Sequence, residues 1–241
     1  MLGTDARDRV IVALDCDRDR ALELARELSG RARWLKVGMT LFYAEGPSVV
    51  RKMKGLGFKV FLDLKFHDIP HQVRGAARSA ALAGADLLSV HAMGSGAMLE
   101  AACEGVREAA AETGGERARL VAITVLTSMD EGALAEVGVA GGIAPEVDRL
   151  AALAAAAGVD GVVCSPKEAS RMRAKLGGGA LVVTPGVRPA GADLGDQSRV
   201  ATPASAIRSG SSHIVVGRPI TAAQDPVASF EAIVAELVSG C

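Results

Sequence analysis

The amino-acid sequence predicts an α/β protein, a (β/α)₈ barrel of the TIM type folded as a single domain over residues 1–241. Three observations carry that expectation. Eight short runs rich in Val, Leu and Ile recur along the 241 residues, at 10–15, 34–38, 59–64, 87–92, 120–127, 159–165, 181–187 and 213–218. Each is apolar almost throughout rather than alternating, the mark of parallel strands covered on both faces. Helical patterns fill the intervals, and eight strand–helix units in about this length is the count of a closed barrel. A doubly wound open sheet is the structural rival, but the first run continues as ALDCDRD, without the glycine fingerprint such a sheet carries there.

Taken in order, VIVALD opens the chain and DRALELARELSG follows, with apolar residues at 3–4 spacing and Gly30 as a C-terminal stop. WLKVG and KVFLDL form the next two strands. Ile69-Pro70 marks a helix start, because proline suits the first turn, and QVRGAARSAALAG ends on Gly84. LLSVHA and LVAITVLT are the fourth and fifth strands, and the segment Gly138–Pro145 reads as a surface connection within the fifth unit. EVDRLAALAAAAG is a helix closed by Gly158, and VDGVVCS, LVVTPGV and HIVVGR complete the set. No Pro/Ser-rich linker or low-complexity tract divides the chain.

Composition removes several function classes. With 27 basic and 28 acidic side chains the formal charge is -1, so the electrostatic footprint of a general nucleic-acid binder is missing. Seven aromatic residues, 3% of the chain, are too few for a platform that stacks single strands. Cys16, Cys103, Cys164 and Cys241 form no CxxC pair and read as small buried hydrophobes in a reducing compartment. The N-terminal MLGTDARDRV lacks an apolar signal core, and the apolar stretch from Leu150 to Val159 is too short to span a bilayer. A cytoplasmic protein without membrane partners is the expectation. No His/Cys/Asp cluster has metal-ligand spacing, so neither a metal nor another cofactor is expected.

A barrel of this kind carries its active site at the C-terminal strand ends. The polar residues there are Asp15, Lys36, Asp63, Lys65, His91, Thr127, Ser165, Arg188 and Arg218. Charges inside apolar strands are rare unless paired, and a structural ion-pair network is one way to account for them. Three such charges, with Asp68 close by in DLKFHDIPHQV, favour catalysis instead. Asp63 and Lys65 are two apart on a strand and are expected to share the interior face. An alternating Lys–Asp–Lys–Asp set keeps each group ionised and holds an ammonium ready as a proton donor. At the other side, Arg188 and Gly217-Arg218 follow strands seven and eight, where barrels commonly bind phosphate. Arginine forks suit a phosphate dianion, and glycine admits the backbone closely.

DLKFHDIP, with Lys36 in WLKVG, TPGVRP (184–189), GDQSR (195–199) and VVGRPI (215–220), resembles the orotidine 5′-monophosphate decarboxylase family of the bacterial type. The resemblance runs from VALD at 12–15 to about residue 226. The DxKxxD core is shared with sugar-phosphate relatives, whereas the five segments in order are far more specific. The resemblance implies cofactor-free conversion of orotidine 5′-phosphate to uridine 5′-phosphate and CO₂ in de novo pyrimidine biosynthesis. It makes Lys65 the proton donor to C6, sets Asp63 beside the departing carboxylate, and has Lys36 hold Asp63 and touch the ribose. It implies a homodimer in which Asp68 reaches the neighbouring site and Gln72 lies near the ribose there. Asp15 is implied at the ribose, Thr127 and Ser128 at the nucleotide and pyrimidine edge, and Gln197 on a loop closing over the ligand. Arg188, Gly217 and Arg218 are implied at the phosphate. The chain departs from the commoner DIPNT in having DIPHQ, with His71 and Gln72 at the helix start. His67 and His91 are read as structural. Two alternatives stay open: a metal-dependent sugar-phosphate decarboxylase or synthase of the same superfamily, and a non-catalytic nucleotide-binding barrel.

Overall fold

Eight parallel strands close on themselves in sequence order, so that the first pairs with both the second and the eighth and no edge is left open. The computed structural model describes residues 5–189 and 201–240. The strands are β1 (Val10–Ala13), β2 (Trp34–Gly38), β3 (Lys59–Phe66), β4 (Leu87–His91), β5 (Arg119–Ile123), β6 (Gly161–Val163), β7 (Leu181–Thr184) and β8 (His213–Val216). All eight coincide with expected runs. The later ones are shorter than expected, and residues 124–128 and 185–188 lie in loops past the ends of β5 and β7. Arg218 opens a short helix directly after β8 rather than extending the strand.

The helices in chain order are α1 (Arg18–Leu28), α2 (Met39–Glu45), α3 (Ser48–Gly55), α4 (Pro70–Leu82), α5 (Gly96–Thr113), α6 (Glu131–Glu136), α7 (Ile143–Ala156), α8 (Ala169–Leu176), α9 (Pro203–Arg208), α10 (Arg218–Thr221) and α11 (Pro226–Ser239). Their starts follow local chemistry. Asp17, Asp130, Thr202 and Asp225 accept from backbone N–H groups of the first turn, and Pro70, Pro203 and Pro226 occupy first-turn positions. Gly30, Gly84 and Gly158 lie just past α1, α4 and α7 with φ of +73°, +103° and +83°, left-handed backbone that glycine adopts without a Cβ clash. The expected connection at 138–145 is shorter than the sequence suggests. Residues 143–145 already belong to α7, and a six-residue helix, α6, precedes the loop.

Two cores result from side-chain alternation within strands that are apolar on both faces. Val12, Leu35, Leu62, Leu88 and Ala122 point outward into the layer beneath the helices. Ile11, Ala13, Trp34, Phe61, Leu87 and Val121 point inward and, with Val163, Val183 and Val215, fill the barrel. This interior is a packed floor and not a pore. The abundant small residues let the outer layer close tightly. A Cβ at Gly105 of α5 would collide with the Arg74 carbonyl oxygen of α4, and Arg74–Glu108 and Arg78–Glu112 ion pairs bridge the same two helices. No helix among the described residues is long and apolar enough to cross a membrane.

Candidate active site

Above the apolar floor, at the C-terminal mouth of the barrel, lies a cavity of about 490 Å³. Its base is Ala13, Phe61, Ile123, Val163 and Val215, the last inward-facing layer of five strands. Inward alternation carries the next residues into the cavity wall: Asp15 after β1, Lys36 after Trp34 on β2, and Asp63 after Phe61 on β3. The apolar strands therefore deliver their few charges to one place.

The charges are arranged around a single carboxylate. Asp63 Oδ2 lies 3.0 Å from Lys65 Nζ and 3.6 Å from Lys36 Nζ. Lys36 Nζ also donates to Asp15 Oδ1 at 2.8 Å. The Lys36 side chain is only 10% exposed and that of Asp63 13%, so the opposite charge of each offsets the cost of burying the other. Burial by itself would raise the Asp63 carboxyl. The ammonium groups of Lys36 and Lys65 and the Ser89 hydroxyl outweigh it and hold the group below the usual carboxylate range. Gly38 leaves the room this set needs, because a Cβ there would sit 3.1 Å from Asp15 Oδ1 and 3.3 Å from Lys36 Nζ.

Lys65 also lines the cavity, on a backbone that departs from regular strand geometry. The β3–β4 register shifts between Leu62 and Phe66, and Lys65 adopts φ +51°. Such a conformation costs a non-glycine residue on the order of 1–3 kcal/mol, and bulges of this kind re-aim side chains. Ser89 on β4 holds the distorted segment from the neighbouring strand. Its hydroxyl accepts from the Lys65 backbone N–H at 2.9 Å and donates to Asp63 Oδ1 at 2.8 Å. The sequence reading missed Ser89. Its signal was a polar residue in LLSVHA, in phase with the inward-facing Leu87.

The opposite wall comprises Pro185, Gly186, Val187 and Arg188 after β7, with Gly217 and Arg218 after β8. Arg188 is 7% exposed, and its Nε has no hydrogen-bond partner among the described residues. Its backbone is fixed by donation to the Ala201 carbonyl at 3.0 Å. Thr127 lines the cavity. Ser128 does not, because β5 ends at Ile123 and the loop carries Ser128 outward to the exposed surface.

Asp68 and Gln72 are exposed and lie outside this cavity, Asp68 accepting from the Ile69 N–H at the start of α4. Gln197 lies outside the described residues. His67 and His91 stack with ring centroids 5.2 Å apart, and Nδ1 of His91 accepts from the Met93 N–H. Burial, then the neighbouring His67 and Lys65, push the His91 imidazole down to about 4. No group of three or more His, Cys, Asp or Glu side chains among the described residues could hold a metal ion.

Known proteins resemble this chain over nearly its whole length. Residues 8–233 match the model of the orotidine 5′-phosphate decarboxylase / HUMPS family. The chain is 53% identical over 232 residues to a protein of Halorhodospira halophila named orotidine 5′-phosphate decarboxylase, covering 96% of both chains. It is 51% identical over 239 residues to one of the same name from Moorella thermoacetica, covering 98% of this chain and 95% of the other. The crystal structure of orotidine 5′-phosphate decarboxylase from Lactobacillus acidophilus superposes with a TM-score of 0.85 at 40% identity, covering 95% of this chain and 99% of that one.

Proposed function

The chain belongs to the orotidine 5′-phosphate decarboxylase / HUMPS family, and from that premise we propose that it converts orotidine 5′-phosphate to uridine 5′-phosphate and CO₂ in pyrimidine biosynthesis. It is on this reading a carboxy-lyase that works without a cofactor. The observation that carries the mechanism is the Lys36–Asp63–Lys65 array at the cavity wall.

Breaking the bond between C6 and the carboxyl carbon leaves the electron pair on C6, where no adjacent carbonyl accepts it. The stabilising charge must come from the protein, fixed in advance and shielded from water. Lys65 Nζ supplies it and then gives C6 a proton, to be replaced from solvent. Asp63 faces the departing carboxylate and keeps Lys65 aimed. Lys36 holds both Asp63 and Asp15, and Lys36 and Asp15 contact the ribose. Thr127 serves the nucleotide and pyrimidine edge, and Ser128 joins it from its exposed loop once the ligand is seated. At the far wall Arg188 and Arg218 take the phosphate, where the buried, unanswered Arg188 Nε suits an anion. Among the described residues, a Cβ at Gly217 would meet only Ala13, at 3.7 Å. Packing of the described residues therefore does not require glycine there, which supports close backbone approach by the phosphate. Gln197 is proposed on the closing loop. Binding energy gathered at the phosphate helps to order the array around C6.

Asp68 and Gln72 act, on this reading, in the neighbouring site of a cytoplasmic homodimer. Support comes from the exposed Met39, Tyr43, Ile69 and Met93, which follow the ends of three consecutive strands beside Asp68. Among the described residues, the carboxylates at the cavity wall are held by lysine ammonium groups and not gathered with other ligands, which supports chemistry without a metal. The purified protein should deplete orotidine 5′-phosphate, read by ultraviolet absorbance, equally well with and without a chelator. No turnover would remove the assignment. Activity lost to a chelator and restored by a divalent cation would move it to the metal-dependent sugar-phosphate type.

A further inference from the structure

Ser89 stands apart from the charged residues, being neutral, fully buried and absent from the cavity wall. It nonetheless touches both halves of the DxK segment. A hydroxyl offers one donor and two acceptor positions, and here both kinds are used. The hydrogen goes to Asp63 Oδ1, and a lone pair receives the Lys65 backbone N–H. Asp63 thereby has both oxygens engaged: Oδ1 by Ser89, and Oδ2 by Lys65 Nζ with Lys36 Nζ beyond it.

We propose that Ser89 is a positioning residue for the reaction, locking the Asp63 carboxylate in rotation and pinning the left-handed backbone of Lys65 so that its ammonium points into the cavity. The geometry gives the reason. The segment between Leu62 and Phe66 leaves regular β3–β4 pairing, so the Lys65 N–H lacks a ladder partner and Ser89 supplies one. Without the hydroxyl, two polar groups lose their partner at once. The distorted segment would lose its anchor on β4, and the Lys65 ammonium would no longer be held at one place in the cavity. Ser89 acts through Asp63 and Lys65, so its removal should affect the chemical step and spare nucleotide binding, which depends on the far wall.

This inference rests on the decarboxylase reading, and the experiment separates the two. Orotidine 5′-phosphate turnover by the unaltered protein tests the reading alone. Given that turnover, Ser89→Ala should lower kcat by about 10- to 100-fold, the scale of losing hydrogen bonds to charged groups, with KM and uridine 5′-phosphate affinity within about threefold of the parent. Ser89→Thr, which keeps the hydroxyl, should recover most of the lost kcat. A Ser89→Ala enzyme with kcat within twofold of the parent would overturn the proposal. So would equal losses in the Ala and Thr variants, or a loss expressed in KM alone. Should Ser89→Ala not fold by circular dichroism, Ser89→Cys keeps the volume with a weaker donor and acceptor. A reduced kcat with an unchanged KM then supports the role, and an unchanged kcat refutes it.

Discussion

The two walls of the cavity solve opposite problems. On the β1–β3 side, Asp15, Lys36, Asp63 and Lys65 answer one another within 3.6 Å, with Ser89 completing the carboxylate from behind. On the β7–β8 side, Arg188 is just as buried but keeps an Nε without a partner among the described residues, and it shares that wall with Gly186, Val187, Gly217 and Arg218. The first wall is organised before any ligand arrives, at the cost of backbone strain at Lys65. The second has donor capacity in reserve, which suits an anion that brings its own charge. Chemistry that develops charge during reaction gains from the first design, and recognition of a standing charge gains from the second.

The largest expected effect breaks the array side. Lys65→Ala should reduce kcat by about 10³-fold or more while uridine 5′-phosphate still binds. Decarboxylation within tenfold of the parent would refute the assignment of Lys65. The same variant sharpens the role of Asp68. Mixed and re-equilibrated with an Asp68→Ala enzyme, it should regain about a quarter of the parent activity, since about half of a random set of dimers would be mixed and each would hold one intact site. No recovery in the mixture would count against sharing across subunits.

A smaller effect should come from the recognition side. Arg218→Ala is expected to weaken uridine 5′-phosphate binding by about 10- to 100-fold, the scale of one charged hydrogen-bonded contact, and to leave uridine binding unchanged by calorimetry. Arg188→Lys should behave similarly, because lysine has no planar fork. Equal losses for nucleotide and nucleoside would erase the distinction between the walls.

The smallest effect concerns stability. His91 beside the array and His213 in the barrel floor are both held near 4, in each case first by burial and then by nearby charged or imidazole groups. Unfolded imidazoles take a proton near pH 6.5, whereas these stay neutral down to about 4. The unfolded chain therefore binds more protons between those values, and stability should fall as pH drops through that window. A fall in Tm through that window is the expected sign of this linkage. The Asp63 carboxylate, held below the usual range, keeps its contribution until the pH passes under that window. Calorimetry from pH 7.5 to 4 with His213→Phe should show a shallower slope than the parent. An identical slope would remove His213 from the explanation.

The sequence by itself determined the eight strands, their parallel covered character, the helix starts at Pro70 and stops at Gly30, Gly84 and Gly158, and the residues Asp15, Lys36, Asp63, Lys65 and Arg188 as the odd polar positions at strand ends. These are local signals: periodicity, caps, and a charge where burial forbids one unpaired. Only the tertiary structure decided that Lys65 leaves the ladder at φ +51°, that Ser89 on β4 holds it, that Ser128 turns away where β5 ends early, and that Asp68 and Gln72 lie outside the cavity of their own chain. A bulge depends on how one strand pairs with another. The Lys65–Ser89 bond joins residues 24 apart in sequence, and no window along the chain contains the register that brings them together.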